Sequence, residues 1–209
     1  MPILYKIGII LARLWCKLSG CRINGRENIP ADTAVLIIAN HTSFADPILL
    51  AAAFPRHITF IAKEEFLRIP FTHWLFGKGF GAVFLNKEES DISALRTAIK
   101  LLKNGRSVGI FPEGQRNFDQ KIGQFMPGAA FVAVKSATPV LPVAISNSRD
   151  LPRFWRRNIT VNIGQPLEPA ATGKISQEHL IEQAAFFQHT IADLLRKNEL
   201  LRISKKKKA

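Results

Sequence analysis

Only two cysteines, Cys16 and Cys21, occur in the 209 residues. They form no C-x-x-C and no metal-ligand spacing, which argues against a disulfide framework or zinc site and fits a reducing, cytosolic-side location. Acidic residues are scarce as well: 16 Asp+Glu stand against 29 Lys+Arg, a formal net charge of +13. That imbalance calls for an anionic partner, and by itself leaves lipid headgroups, nucleic acid and phosphorylated substrates open. The hydrophobic fraction is 47%, yet no segment has the roughly 18 uninterrupted apolar residues that a spanning helix needs. The expectation is a chain that touches a membrane without crossing it. Internal repeats and Gly/Ser linkers are missing too, so the length fits one large domain.

What is present begins with the segment "MPILYKIGIILARLWCKLSG". Lys6, Arg13 and Lys17 are interspersed with apolar residues and no small-residue cleavage pattern follows, unlike a signal peptide. Ile3, Ile7, Ile10, Leu14 and Leu18 recur at helical spacing. A basic amphipathic helix lying in a bilayer interface and a helix packed on the protein's own core both fit this pattern. From Ala34 onward, short apolar runs alternate with helical patterns. "AVLIIA", "HITFIA", "GAVFL", "SVGIF", "VLPVAIS" and "ITVNIG" read as strands, several apolar throughout, as strands buried on both faces are. Helices are predicted from Asp46-Pro47 through "PILLAAAF", over "SDISALRTAIKLLKNG", from Pro127 through "GAAFVAVKSA", and over "QEHLIEQAAFFQHTIADLLRKNEL". Asp46 resembles an N-cap and Pro47 a first helical residue. The predicted fold is a single α/β domain, with a mixed, mainly parallel sheet flanked by helices and preceded by the amphipathic helix. The predicted organisation is an interface helix at 1–20, the main domain at 21–200 and a basic tail at 201–209, read as disordered and solvated or, equally, as an electrostatic grip on anionic lipid.

Ligands of open α/β sheets gather at the carboxyl ends of strands, and two polar clusters fall there. "NHTSFAD" follows "AVLIIA" and sets His41 and Asp46 five positions apart. Histidine suits general-base work near neutral pH, and a carboxylate on its other ring nitrogen would fix the tautomer. A helix-capping Asp46 beside an ordinary loop histidine is the competing reading. Ser43 lacks a G-x-S-x-G elbow and is not assigned as a nucleophile. "FPEGQRN" follows "SVGIF": Gly114 permits close backbone approach, and Arg116 carries a fork suited to phosphate oxygens. A surface turn with a local Glu113–Arg116 ion pair is the alternative there.

The ordered combination of "NHxxxxD", a basic position after "GAVFL", "FPEGxR" and "VLPVAI" resembles the four-block pattern of the glycerolipid acyltransferases, the 1-acyl-glycerol-3-phosphate acyltransferase family. The match covers roughly residues 24–164. The resemblance implies an O-acyltransferase in which His41 is the general base, Asp46 orients it and Asn40 supports the loop. It further implies that Glu113 helps hold the glycerol portion or structures the acceptor site with Gly114, that Arg116 and Lys87 bind phosphate, and that Pro139 and Pro142 mark the acyl-donor region. Three departures bear on the acceptor: Gln115 replaces a threonine, Asn117 a serine, and Asn86-Lys87 an Asp-Arg pair. The implied partners are an acyl-CoA or acyl-carrier protein donor, a lysophospholipid acceptor and an anionic membrane surface, with no nucleic acid, no metal and no cofactor. An activated thioester needs only a base to prepare the hydroxyl, so no covalent intermediate is required. The implied location is peripheral or monotopic, on the cytoplasmic face of the inner or plasma membrane. The aromatic segment at 69–80, "IPFTHWLFGKGF", is a second candidate for membrane contact, with a core role equally consistent and His73 read as structural.

Overall fold

The computed structural model describes residues 3–63, 83–85, 91–117, 122–150, 158–168 and 176–206. Lys87 and the aromatic segment with His73 lie outside these residues. Helix α1 (Ile3–Leu18) leads into strand β1 (Arg22–Asn24), then β2 (Leu36–Ala39), α2 (Asp46–Ala53), β3 (Ile58–Lys63) and β4 (Val83–Leu85). There follow α3 (Asp91–Lys103), β5 (Ser107–Ile110), α4 (Gly128–Ser136), β6 (Val140–Ser146), β7 (Thr160–Ile163) and α5 (Gln177–Lys206). The seven strands lie in the order β1-β7-β6-β2-β5-β3-β4. All neighbours are parallel except β6 and β7, so the sheet is mixed and mainly parallel, as the alternation of elements predicts.

Strand β2 sits at its centre, between β6 and β5. Its side chains alternate faces with a period of two. Val35, Ile37 and Ala39 enter a core with Ala12 and Cys16 of α1 and Leu49, Leu50 and Phe54 at α2. Leu36 and Ile38 enter the other, with Ala98 and Leu102 of α3, Ala129 and Val132 of α4, and Phe187 and Ile191 of α5. Helices cover both faces, which is why "LIIA" is apolar at every position.

Two elements differ from the sequence prediction, and in a third, α1, the orientation that the sequence left open is now defined. Strand β1 was not foreseen; it is three residues long and pairs with β7, from Arg22↔Thr160 to Asn24↔Asn162. Helix α5 continues to Lys206, into the stretch expected to be a basic tail, because lysine is a good helix former. In α1 the predicted stripe faces outward: Ile3, Ile7, Ile10, Leu14 and Leu18 are all at least 50% exposed. Tyr5, Ile9, Ala12 and Cys16, also at helical spacing, are the buried face.

Candidate active site

Because β2 runs parallel to both β5 and β6, the residues that follow these three strands emerge at one edge of the sheet. Asn40 comes first after β2. Its Nδ2 donates to the Ile145 carbonyl at 2.9 Å and its Oδ1 accepts the Ile145 N–H at 2.8 Å. The side chain thus extends the β2–β6 ladder by one rung and fixes where the chain leaves the sheet.

The next turn folds back on Asp46. Its Oδ2 accepts the backbone N–H groups of Thr42 at 2.7 Å and Ser43 at 2.8 Å, and lies 2.9 Å from His41 Nδ1. An oxygen that takes two backbone donors is acting as an acceptor, so Nδ1 carries the ring proton and Nε2 keeps its lone pair. Asp46 is the first residue of α2, with Ala45 at the cap and no side-chain cap bond. This corrects the N-cap reading: the carboxylate points back into the loop. Asp46 is fully buried, while the His41 side chain keeps 17% of its surface exposed. Beneath the imidazole lies Phe111, stacked with a centroid separation of 4.1 Å and an interplanar angle of 18°. Phe111 in turn lies parallel to Phe60 at 6.1 Å. Gly109 makes room for that support, because a Cβ there would strike the Phe60 ring.

Glu113 joins this loop to the one after β5. Its carboxylate accepts the His41 N–H at 2.7 Å, the Gly123 N–H at 2.9 Å and a hydrogen bond from Asn117 Nδ2. Asn117 N–H donates to the His41 carbonyl at 2.8 Å. Both backbone groups of His41 are therefore held by the Phe111–Asn117 segment. Gly114 turns that segment with φ of 67°, a left-handed conformation that favours glycine. Arg116 places its guanidinium carbon 3.5 Å from the centroid of the Phe44 ring. Burial weakens its charged form, and the charge of Asp46 opposes that shift.

His41, Asp46, Asn40, Glu113, Gly114 and Arg116 thus belong to one connected edge. Pro139 and Pro142 are placed differently. Leu36 pairs with Val140 and Ile38 with Pro142, so Pro139 lies about 20 Å from His41 along the strand direction and Pro142 about 10 Å, at roughly 3.3 Å per residue. The part of this segment that reaches the edge is Ser148, whose hydroxyl is 2.9 Å from that of Thr42. Phe44, Phe111 and Ser148 escaped the sequence reading, and Asn117 entered it only as a departure from the family pattern. Position inside the two polar clusters could have singled out the two phenylalanines, and Ser148 only its place just after β6. A G-x-S-x-G string does occur at 105–109, but Ser107 is buried at the start of β5 and its Oγ accepts the Val35 N–H at 3.3 Å. It is no nucleophile elbow, which exposes its serine at a turn from strand to helix. Among the described residues no group of His, Cys, Asp and Glu could hold a metal ion.

A buried carboxylate, an imidazole hydrogen-bonded to it and a neighbouring arginine thus stand together at this edge. The profile of the acyltransferase family matches residues 20–146, and the chain belongs to that family. Its relatives include the 1-acyl-sn-glycerol-3-phosphate acyltransferases of Borreliella burgdorferi, 37% identical over 72% of this chain and 60% of that one, and Bacillus subtilis, 30% identical over 87% and 92%. A chloroplast relative from Arabidopsis thaliana, LPAT1, is 34% identical over 69% of this chain and 42% of its own. The chain therefore spans about half the length of several relatives and nearly all of another. The crystal structure of the Thermotoga maritima 1-acyl-sn-glycerophosphate (LPA) acyltransferase, PlsC, superposes with a TM-score of 0.68, at 31% identity over 89% of this chain and 79% of that chain.

Proposed function

We propose that the chain is an O-acyltransferase that moves a fatty acyl group from acyl-CoA or acyl-carrier protein to the free hydroxyl of 1-acyl-glycerol 3-phosphate, giving phosphatidic acid for phospholipid synthesis. The observation that carries this reading is the His41–Asp46 pair, with Nε2 left as acceptor and Arg116 on the adjoining loop. His41 Nε2 takes the hydroxyl proton as the oxygen attacks the thioester carbonyl, and Asp46 stabilises the imidazolium. The tetrahedral intermediate expels the thiolate, which recovers the proton from His41. Arg116 holds the acceptor phosphate with its planar fork, and Lys87, by family resemblance, supplies a second cation. Glu113 acts through position: its carboxylate is spent on three donors of the chain itself, so it fixes His41 instead of gripping glycerol. General-base assistance supplies about 10²- to 10⁴-fold, and alignment of the two substrates must supply much of the remainder.

Both substrates are lipids or carry lipid chains. Among the described residues no helix is long and apolar enough to cross a membrane, and the outward stripe of α1, with Lys6 and Lys17, is suited to lie in an anionic bilayer interface on the cytoplasmic side. The test is a panel of acceptors, comprising 1-acyl-glycerol 3-phosphate, glycerol 3-phosphate, neutral lysophospholipids and a lyso-aminolipid, each offered with both thioester donors. Product from 1-acyl-glycerol 3-phosphate at the highest kcat/KM is expected. Turnover of another acceptor and not of this one would overturn the assignment, and the departures at Gln115 and Asn117 make the comparison worth running.

A further inference from the structure

Phe44 occupies the third position between His41 and Asp46 and is 61% exposed. Its backbone is not free to wander, because the N–H groups of Thr42 and Ser43 are tied to Asp46 and the N–H of Ala45 to Ser43 Oγ. On the facing loop, Arg116 is anchored just as closely through its neighbour Asn117, which donates to the His41 carbonyl. The two side chains meet with the guanidinium carbon 3.5 Å from the ring centroid. The guanidinium carbon therefore rests over the face of the ring, where the ring quadrupole steadies the cation.

We propose that Phe44 is a positioning residue that carries the Arg116 guanidinium on its ring, so that the N–H fork is pre-aimed at a phosphomonoester and the enzyme prefers phosphorylated over uncharged lysolipid acceptors. This rests on the reading that Arg116 holds the acceptor phosphate. It explains why a large apolar side chain stands exposed in the loop of the catalytic base. Because an arginine held in advance loses less freedom when the ligand arrives, the gain falls on acceptor binding and leaves the acyl-transfer step unchanged.

The test uses the full chain purified in detergent, with whichever thioester, long-chain acyl-CoA or acyl-carrier protein, supports turnover. Phe44→Leu keeps an apolar side chain and removes the π face. It is expected to raise the KM for 1-acyl-glycerol 3-phosphate about threefold to thirtyfold, with kcat within twofold, an unchanged donor KM and less discrimination against monoacylglycerol. Phe44→Trp restores a π face and should recover the acceptor KM. In an Arg116→Ala background the Phe44→Leu change should add less than twofold, since the group it positions is gone. An acceptor KM unchanged by Phe44→Leu, or raised equally with and without Arg116, overturns the proposal. A parallel rise in donor and acceptor KM would mean that Phe44 serves lipid contact and overturns it too. If Arg116→Ala itself leaves the acceptor KM unaltered, the phosphate role of Arg116 fails and this proposal falls with it; a large Arg116→Ala effect beside a silent Phe44→Leu refutes Phe44 alone.

Discussion

The chain treats the largely buried loop from Asn40 to Asp46 and the exposed outer face of α1 in opposite ways. In the loop, both backbone groups of His41 and the N–H groups of Thr42 and Ser43 are bonded to partners within the protein. On α1, six large apolar residues, Ile3, Ile7, Ile10, Leu11, Leu14 and Leu18, are 50% to 75% exposed. These loop donors are satisfied from within the protein, as a preorganised site requires. The helix face is complete only against something apolar, since contiguous exposed hydrophobic surface marks a contact site. Reactivity and location are thereby separated, and variants of one should leave the other intact.

The sharpest break is His41→Ala. Loss of the base is expected to lower kcat by about 10²- to 10⁴-fold, while binding to anionic vesicles, read by co-sedimentation, stays at the parent level. A variant that transferred acyl groups at the parent rate would remove His41 from the chemistry. Second comes Glu113→Ala, which frees the donors of His41, Asn117 and Gly123 at once. A misplaced base costs on the order of a hundredfold in rate. The unpaired donors should cost about 2 kcal/mol in stability, visible as a lower denaturant midpoint. Near-parent kcat with raised acceptor KM would instead return Glu113 to direct substrate contact.

These two variants also mark how far the sequence could be read. Among the described residues, the alternation of apolar runs and helical stripes located six of seven strands and all five α-helices, because burial on both faces leaves a local signature. His41 and Asp46 were visible as a candidate pair because both fall in one short stretch, and only the ordered combination of blocks favoured that pair over a capped loop. The partners that make the pair work are distant in sequence: Ile145 lies 105 residues from Asn40, and Glu113 lies 72 from His41. No local pattern records such bonds. Nor does any pattern tell that the Asp46 carboxylate turns back into the loop, since an aspartate before proline reads as a cap. For α1 the periodicity was true and its direction was hidden. Both Ile3-Ile7-Ile10-Leu14-Leu18 and Tyr5-Ile9-Ala12-Cys16 have helical spacing, and tertiary packing of the second set against α2 and the sheet decides which one faces out.

The outer face of α1 supplies the third variant. Ile10→Glu with Leu14→Glu should weaken binding to anionic vesicles about tenfold per residue, from roughly 1.5 kcal/mol of lost apolar burial each. Folding stability should change by no more than about 0.5 kcal/mol per site, the usual limit for exposed positions. Turnover of acceptor dispersed in detergent micelles should persist, because neither side chain bonds to the loop. Unchanged vesicle affinity would mean that the stripe does not meet lipid.

Arg13 tests the seam between the two regions, and its effect should be the smallest. Although it belongs to the same basic, apolar helix, its guanidinium does not join Lys6 and Lys17 as a free surface charge. Nε donates to the Ala52 carbonyl at 3.2 Å and a terminal nitrogen donates to Phe54 at 2.6 Å. Those carbonyls lie at the C-terminal end of α2, where the helix leaves acceptors unsatisfied and a cation is favoured. At the other end of the same eight-residue helix stands Asp46. Arg13 therefore secures α1 to the helix that begins with Asp46. Arg13→Ala should cost about 1 kcal/mol and lower Tm by about 2–4 °C. The loop's own hydrogen bonds to Asp46 remain, so kcat should hold within twofold at temperatures below the transition. A fall in kcat without a fall in Tm would show that α1 and the catalytic loop are coupled through α2, and that the separation of reactivity from location is incomplete.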